Sequence, residues 1–272
     1  MPEIHPTSIL DGEITIADDV VIGPNCVLTG NITIGEGTTL IGNCYLTGKL
    51  TIGKRNTIYP FVCIGFAPQD TNFQNDQYEP GVVIGDDNIF RESATVHRAT
   101  QESPTSIGNS NIFMTTTHVA HDCQIANNCT LVTDVSLAGH VHVQDNVILG
   151  GSANIHQFVT LGKGAMIIGL GYASFDVPPY FMITGGNIIG SINVIGMRRS
   201  GMETSEITRR KEIYKLLYRS GNSLRTSLEQ LKTEGDAIAL EYAAFIESAR
   251  RGVVTPYLPQ RSARRGMATT HE

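Results

Sequence analysis

The chain has 272 residues, 41% of them hydrophobic and 17% charged, with a formal net charge of −6, which is ordinary for a soluble globular protein of one large domain or one plus a small one. No stretch approaches the ~20 consecutive apolar residues of a membrane helix. The opening MPEIHPTSIL lacks the basic start and apolar core of a signal peptide, so a cytoplasmic protein is expected.

From Ile4 an aliphatic side chain recurs every sixth residue: Leu10, Ile16, Ile22, Leu28, Ile34, and on to Ile64. The series restarts at Ile84, Phe90 and Val96, and again from Ile107 through Val119, Leu137 and Ile155 to Ile167. Neither a helix nor an ordinary strand gives a pure six. The period is that of hexapeptide repeats in a parallel β-helix, with three hexads closing one triangular coil of 18 residues. Four residues after each anchor stands a small or β-branched side chain, such as Cys26, Thr38, Cys44, Cys123 or Val135, as a narrow, densely packed interior requires. Cys26 and Cys44, 18 apart, are expected to stack inside the prism. The five cysteines form no CxxC pair and read as small buried hydrophobes.

Two segments fall out of phase, residues 65–82 and residues 97–106, and both read as loops projecting from corners. The prism is expected over 1–202. Beyond Met202 the period becomes helical: Ile207, Tyr214, Leu217 and Tyr218, then Leu224, Leu228 and Leu231, then Ile238, Tyr242, Phe245 and Ile246. This predicts a small all-α domain over 203–272, with an extended tail. That region carries 12 of the 20 lysines and arginines against 9 acids, so a basic end joins an acidic body and suits an acidic partner. The excess is small and lacks interleaved aromatics, which argues against nucleic acid.

The repeat fixes which residues stack. Val119, Leu137 and Ile155 are 18 apart, so His121 lies one coil below Gly139 and Asp122 one coil below His140. His156 lies one coil above Ala138, and His118 just precedes Val119. If the second irregular segment is a plain corner insertion, Val96 brings His97 into the same line. Five of the eight histidines thus gather on one outward face. Imidazole moves protons near neutral pH, and Asp122 could orient one. Strand neighbours point to opposite sides, so a direct His121–Asp122 pair needs corner geometry or a partner coil. With no GxSxG and no outward cysteine nearby, a general base acting on a substrate hydroxyl fits better than a covalent intermediate. Three histidines on a β-helix can also hold zinc, but the HVAHD spacing does not favour it, and no metal or cofactor is expected.

His118-Val119-Ala120-His121-Asp122, Leu137-Ala138-Gly139-His140-Val141, Asn154-Ile155-His156-Gln157-Phe158 and Asp176-Val177-Pro178-Pro179-Tyr180 together resemble the UDP-N-acetylglucosamine acyltransferase family of lipid A synthesis. The resemblance spans nearly the whole chain. It implies left-handed coiling, a homotrimer with active sites between prisms, and transfer of a 3-hydroxyacyl group from the phosphopantetheine of acyl carrier protein to the 3-hydroxyl of UDP-N-acetylglucosamine. It implies His121 as base, Asp122 as its support and the Gly139 N–H at the oxyanion. It places Gln69, Asp70, His118, His140, His156, Gln157, Asn193 and Arg199 along the substrate, and Gly169 where acyl length is limited. The acidic carrier protein would meet Arg209, Arg210, Lys211, Lys215 and Arg219. Asn72, Ile195 and Ser200 depart from the family pattern, which leaves open a paralogue acylating another UDP-amino sugar, including N-acylation of a 3-amino sugar.

Overall fold

The structure, a computed structural model, describes residues 1–71, 73 and 80–255. Its body is a left-handed parallel β-helix of about 10 turns. Each hexad forms a short strand that turns its anchor inward, and every anchor from Ile22 to Ile167 is 3% exposed or less. Coils pair in parallel, 18 residues apart: Leu10 with Leu28, Val119 with Leu137, Leu137 with Ile155. The anchors keep this register across the irregular segments, with one shift between Val96 and His97 where both segments leave the second face. Ile52 pairs with Ile84 across the first and Val96 with Val119 across the second.

Three faces follow. The first carries Ile22, Phe90 and Leu131, the second Leu28, Val96 and Val119, the third Ile34, Ile107 and Ile125. Both irregular segments leave from the edge between the second and third faces. In the lower coils, strands Ile9–Ile16, Val27–Ile34 and Tyr45–Ile52 run unbroken round that edge. Gly12 allows it: its φ is +113°, and a Cβ there would stand 2.3 Å from the Gly30 carbonyl oxygen.

The interior is not wholly apolar. Asn56, Asn88 and Asn111, all fully buried, stack as a ladder. Asn88 Oδ1 accepts from the Asn111 backbone N–H at 2.9 Å and from Asn111 Nδ2 at 3.0 Å, and Asn56 Oδ1 serves Asn88 in the same way. Beside it Phe90 and Phe113 stack, centroids 4.6 Å apart. Cys26, Cys44, Cys123 and Cys129 are buried and free.

The strands end earlier than the expected prism. Phe181–Ile183 pairs antiparallel with Ile189–Ile192, and a short helix, α1 (Val194–Arg199), follows at once. Six residues are too few to show an apolar stripe in the sequence. Then come α2 (Thr204–Tyr218), α3 (Leu224–Glu234) and α4 (Ala237–Ser248). Ser223 and Asp236 cap α3 and α4, and Gly235, at φ +68°, ends α3. The helices cover the upper end of the solenoid: Phe181 meets Tyr214, Tyr218 and Tyr242 with centroids 5.4–5.5 Å apart, and the Tyr242 hydroxyl donates to Pro179 O at 2.8 Å. At the lower end, among the described residues, Ile9–Ile16 pairs only with Val27–Ile34. The expected tail after Thr255 lies outside the described residues. No described helix is long and apolar enough to cross a membrane.

Candidate active site

The edge between the second and third faces turns through residues in the left-handed region, Asp122 at φ 59°, His140 at 59° and Phe158 at 65°. This geometry supplies the direct pair that a flat strand forbids. At Asp122 the turn swings the carboxylate back onto the preceding side chain, and His121 Nδ1 lies 2.6 Å from Asp122 Oδ2. The same oxygen accepts from the Thr100 hydroxyl at 2.6 Å, and Oδ1 accepts from the Thr100 and Gln101 backbone N–H groups at 2.9 and 3.0 Å. Burial alone would raise this carboxyl; the hydrogen bonds from His121, Thr100 and Gln101 outweigh it and bring the pKa down to about 2. Asp122 is therefore ionised near neutral pH, and the hydrogen shared with His121 sits on the imidazole.

Gly139 lies against the His121 ring as the register requires. A Cβ there would stand 2.5 Å from His121 Cε1 and 2.7 Å from Nε2, so only glycine lets the ring lie flat on the next coil. Among the described residues the Gly139 N–H makes no hydrogen bond. His140 meets His121 edge-on at 5.2 Å and stacks on Phe158 at 4.5 Å. Burial lowers the His140 pKa, while the charges of Asp122 and Asp70 oppose that; Asp70, from the first irregular segment, thus comes close to this cluster. His97 is 9% exposed and packs edge-on against His118, 4.9 Å away. Burial, with the nearby His118 and His121, brings its pKa down to about 4. His156 and Gln157 are exposed one coil above Ala138 and Gly139, and Gln69 is exposed beside Asp70.

His121, Asp122 and His140 offer ligand atoms within 4.8 Å of one another, the one such metal-capable group among the described residues. Each carboxylate oxygen already accepts two hydrogen bonds, which is the chemistry of an oriented base rather than of an open ligand set. Burial pushes the Cys123 and Cys129 thiols up to about 12 and 11, so neither supplies a thiolate near neutral pH.

Other expected site residues lie elsewhere. Asn193 and Arg199 line a cavity of about 1330 Å³ between α1 and the first face, together with Lys163, Ser200 and Arg210. None of the catalytic-edge residues lines it. Asn193 is buried; its Oδ1 accepts from Gly196 N–H and its Nδ2 donates to Gly164 O. Gly169 is exposed, and an added Cβ would come no closer than 3.4 Å to any atom, so local packing does not demand glycine there. Ile195 is 65% exposed, and the Ser200 hydroxyl donates to Met197 O at the end of α1. Asn72 lies outside the described residues.

Two of the expected carrier-protein contacts already have partners within the chain. Arg209 is committed to Glu212, Glu234 and Asp236, and Arg210 is buried against Glu241 with its guanidinium 4.5 Å over the Tyr180 ring. Folding α3 and α4 back onto α2 consumes both charges. Lys215 and Arg219 are exposed and Lys211 half-buried. Residues that sequence reasoning passed over are Thr100 and Gln101, which hold Asp122, Thr105, whose hydroxyl accepts from the Asp122 N–H, and Phe158. The first three lie in or beside the second irregular segment, where the repeat gives no register.

Relatives carry similar sequences and the same fold. Residues 176–254 match the family model described as UDP N-acetylglucosamine O-acyltransferase, domain 2. A protein of Leptothrix cholodnii named acyl-[acyl-carrier-protein]–UDP-N-acetylglucosamine O-acyltransferase is 43% identical over 265 residues, covering 93% of this chain and all of that one. One of the same name from Aliivibrio salmonicida is 41% identical over 257 residues, covering 93% and 97%. The crystal structure of Francisella novicida UDP-N-acetylglucosamine acyltransferase superposes with a TM-score of 0.90 at 36% identity, covering 99% of this chain and 100% of that one. On this likeness along both chains, the protein belongs to the acyl-[acyl-carrier-protein]–UDP-N-acetylglucosamine O-acyltransferase family.

Proposed function

We propose that the protein transfers a 3-hydroxyacyl group from acyl carrier protein to the 3-hydroxyl of UDP-N-acetylglucosamine. The observation that carries the mechanism is the His121–Asp122 pair beneath the unpaired Gly139 N–H. Asp122 accepts the hydrogen on His121 Nδ1 and leaves Nε2 to take the proton of the sugar hydroxyl. The oxygen attacks the thioester carbonyl, and the Gly139 N–H is placed for the oxyanion that forms. Collapse breaks the C–S bond, and His121 returns the proton to the departing phosphopantetheine thiol. Both substrates belong to the cytoplasm, where the reaction is expected. Lys211, Lys215 and Arg219 remain the proposed contacts for the acidic carrier protein.

The working form is proposed to be a homotrimer. Within one chain the Arg199 cavity and His121 lie on different walls, so a sugar nucleotide held by one needs the other from a neighbouring copy. Half-buried Ile89, Ile112, Ile148 and Met166, with Thr130 between Ile112 and Ile148, form a mainly apolar outward column on the first face, fit for such a contact.

The test is a transfer assay with acyl carrier protein thioesters of graded length against UDP-N-acetylglucosamine and its 3-amino analogue. Ester formation on the hydroxyl sugar is expected. Product with the amino analogue alone would replace the acceptor. His121→Ala is expected to lower turnover at least about a hundredfold with assembly unchanged; near-normal turnover would remove His121 as base.

A further inference from the structure

Two histidines three residues apart on one wall are each held through Nδ1, but by different partners. His121 faces the Asp122 carboxylate at 2.6 Å. His118 faces the hydroxyl of Thr95, its register partner one coil below, at 2.7 Å. A carboxylate only accepts, so His121 carries hydrogen on Nδ1. A hydroxyl can donate or accept, and the surroundings decide. Among the described residues Thr95 Oγ1 has no other partner. Were His118 Nδ1 to carry the hydrogen, the half-buried hydroxyl would be a donor with no acceptor among the described residues, which is unfavourable. With the hydroxyl donating to a bare Nδ1, no donor is stranded and the imidazole hydrogen sits on Nε2. His97, edge-on with an interplanar angle of 82°, fixes the ring plane. Burial first, then the neighbouring His121, lower the His118 pKa, which keeps the ring neutral near pH 7. Because His118 alternates with the fully buried Val119, the ring stands on the outward side, and its Nε2 points away from Thr95.

We propose that Thr95 is a positioning residue that fixes His118 as the Nε2–H tautomer, so that one wall presents a proton acceptor at His121 and a hydrogen-bond donor at His118 for a substrate oxygen. What stands beside Nδ1 gives the two imidazoles opposite roles. The donor role rests on the proposed acyl transfer; the tautomer does not, and it is readable without substrate.

The experiment is long-range nitrogen–hydrogen correlation NMR of the ¹⁵N-histidine-labelled full chain at pH 7.5, with the His118 signals assigned by their loss in His118→Asn. Wild type and Thr95→Ser are expected to show His118 as Nε2–H, and Thr95→Val a shift towards Nδ1–H. In transfer assays Thr95→Val is expected to lower kcat/KM for the sugar nucleotide about tenfold, with Thr95→Ser restoring it. A wild-type His118 in the Nδ1–H form overturns the proposal, whether or not any variant folds. So does a Thr95→Val protein with an unchanged tautomer, or one whose tautomer changes at unaltered kcat/KM. Nε2–H at His118 in a protein that transfers no acyl group would leave the tautomer assignment standing and sink the functional reading instead.

Discussion

At Gly139 the distinction between a fold residue and a site residue becomes measurable. Its φ is outside the left-handed region, so Gly139→Ala meets no backbone strain, but the methyl would enter the His121 ring. A ring displaced by about 1 Å should cost roughly a hundredfold in kcat with little change in thermal midpoint; a large loss of stability instead would make Gly139 structural. His97 makes the opposite prediction. Its folded pKa, about 4, lies below its ordinary 6.5, so between those values the unfolded chain binds a proton that the folded chain refuses. The stability is therefore complete above pH 6.5 and declines as pH falls towards 4, by about 3 kcal/mol in all. Urea midpoints at pH 7.5 and 4.5 should show the fall, and His97→Gln should reduce it, leaving the part that His118 and His140 contribute with the same sign. Asp122 acts in the same direction only below pH 4, where its ordinary carboxyl range ends, so the two effects separate. His121, Asp122, Gly139 and His140 were legible because an 18-residue period converts sequence distance into height. Thr100 and Gln101 were not, since a hydroxyl and two backbone N–H groups from an aperiodic segment leave no mark in the pattern.

The hexad strands are elements of two residues for most of the solenoid, so stability comes from stacking rather than from any one strand. The asparagine ladder is the most concentrated part of that stacking. Asn88→Ala would strand the Asn111 backbone N–H inside the prism and remove the bonds to Asn56 Oδ1 and Gly108 O. The expected cost is about 2–4 kcal/mol, or roughly 5–10 °C in thermal midpoint, by calorimetry. The ladder escaped the sequence reading because asparagine at the small inward slot breaks the apolar rule that defines the slot, and only its partners above and below make it acceptable there. α2, α3 and α4 were legible from their stripes, but α1 and the fate of Arg209 and Arg210 were not. Which basic residues stay exposed depends on where α3 and α4 fold back, and an isolated helical period does not carry that.

For the whole molecule, the proposed trimer predicts that a charge in the outward column of the first face separates the copies. Ile112→Glu is expected to shift the mass from light scattering towards a single chain and to abolish transfer, while circular dichroism keeps its β signature. A variant that stays trimeric and active would move the interface elsewhere. The two ends of the solenoid differ in a way that bears on solubility. The upper end is roofed by helices, whereas strand Ile9–Ile16 offers eight residues of open edge, a template on which a second rod could seat itself head-on and continue the hydrogen-bond ladder. Around that rim stand Glu3, Asp11, Glu13, Asp18 and Asp19. Their shared negative charge acts as a bumper between molecules, so concentrated salt, by screening it, would favour rods growing end to end into filaments.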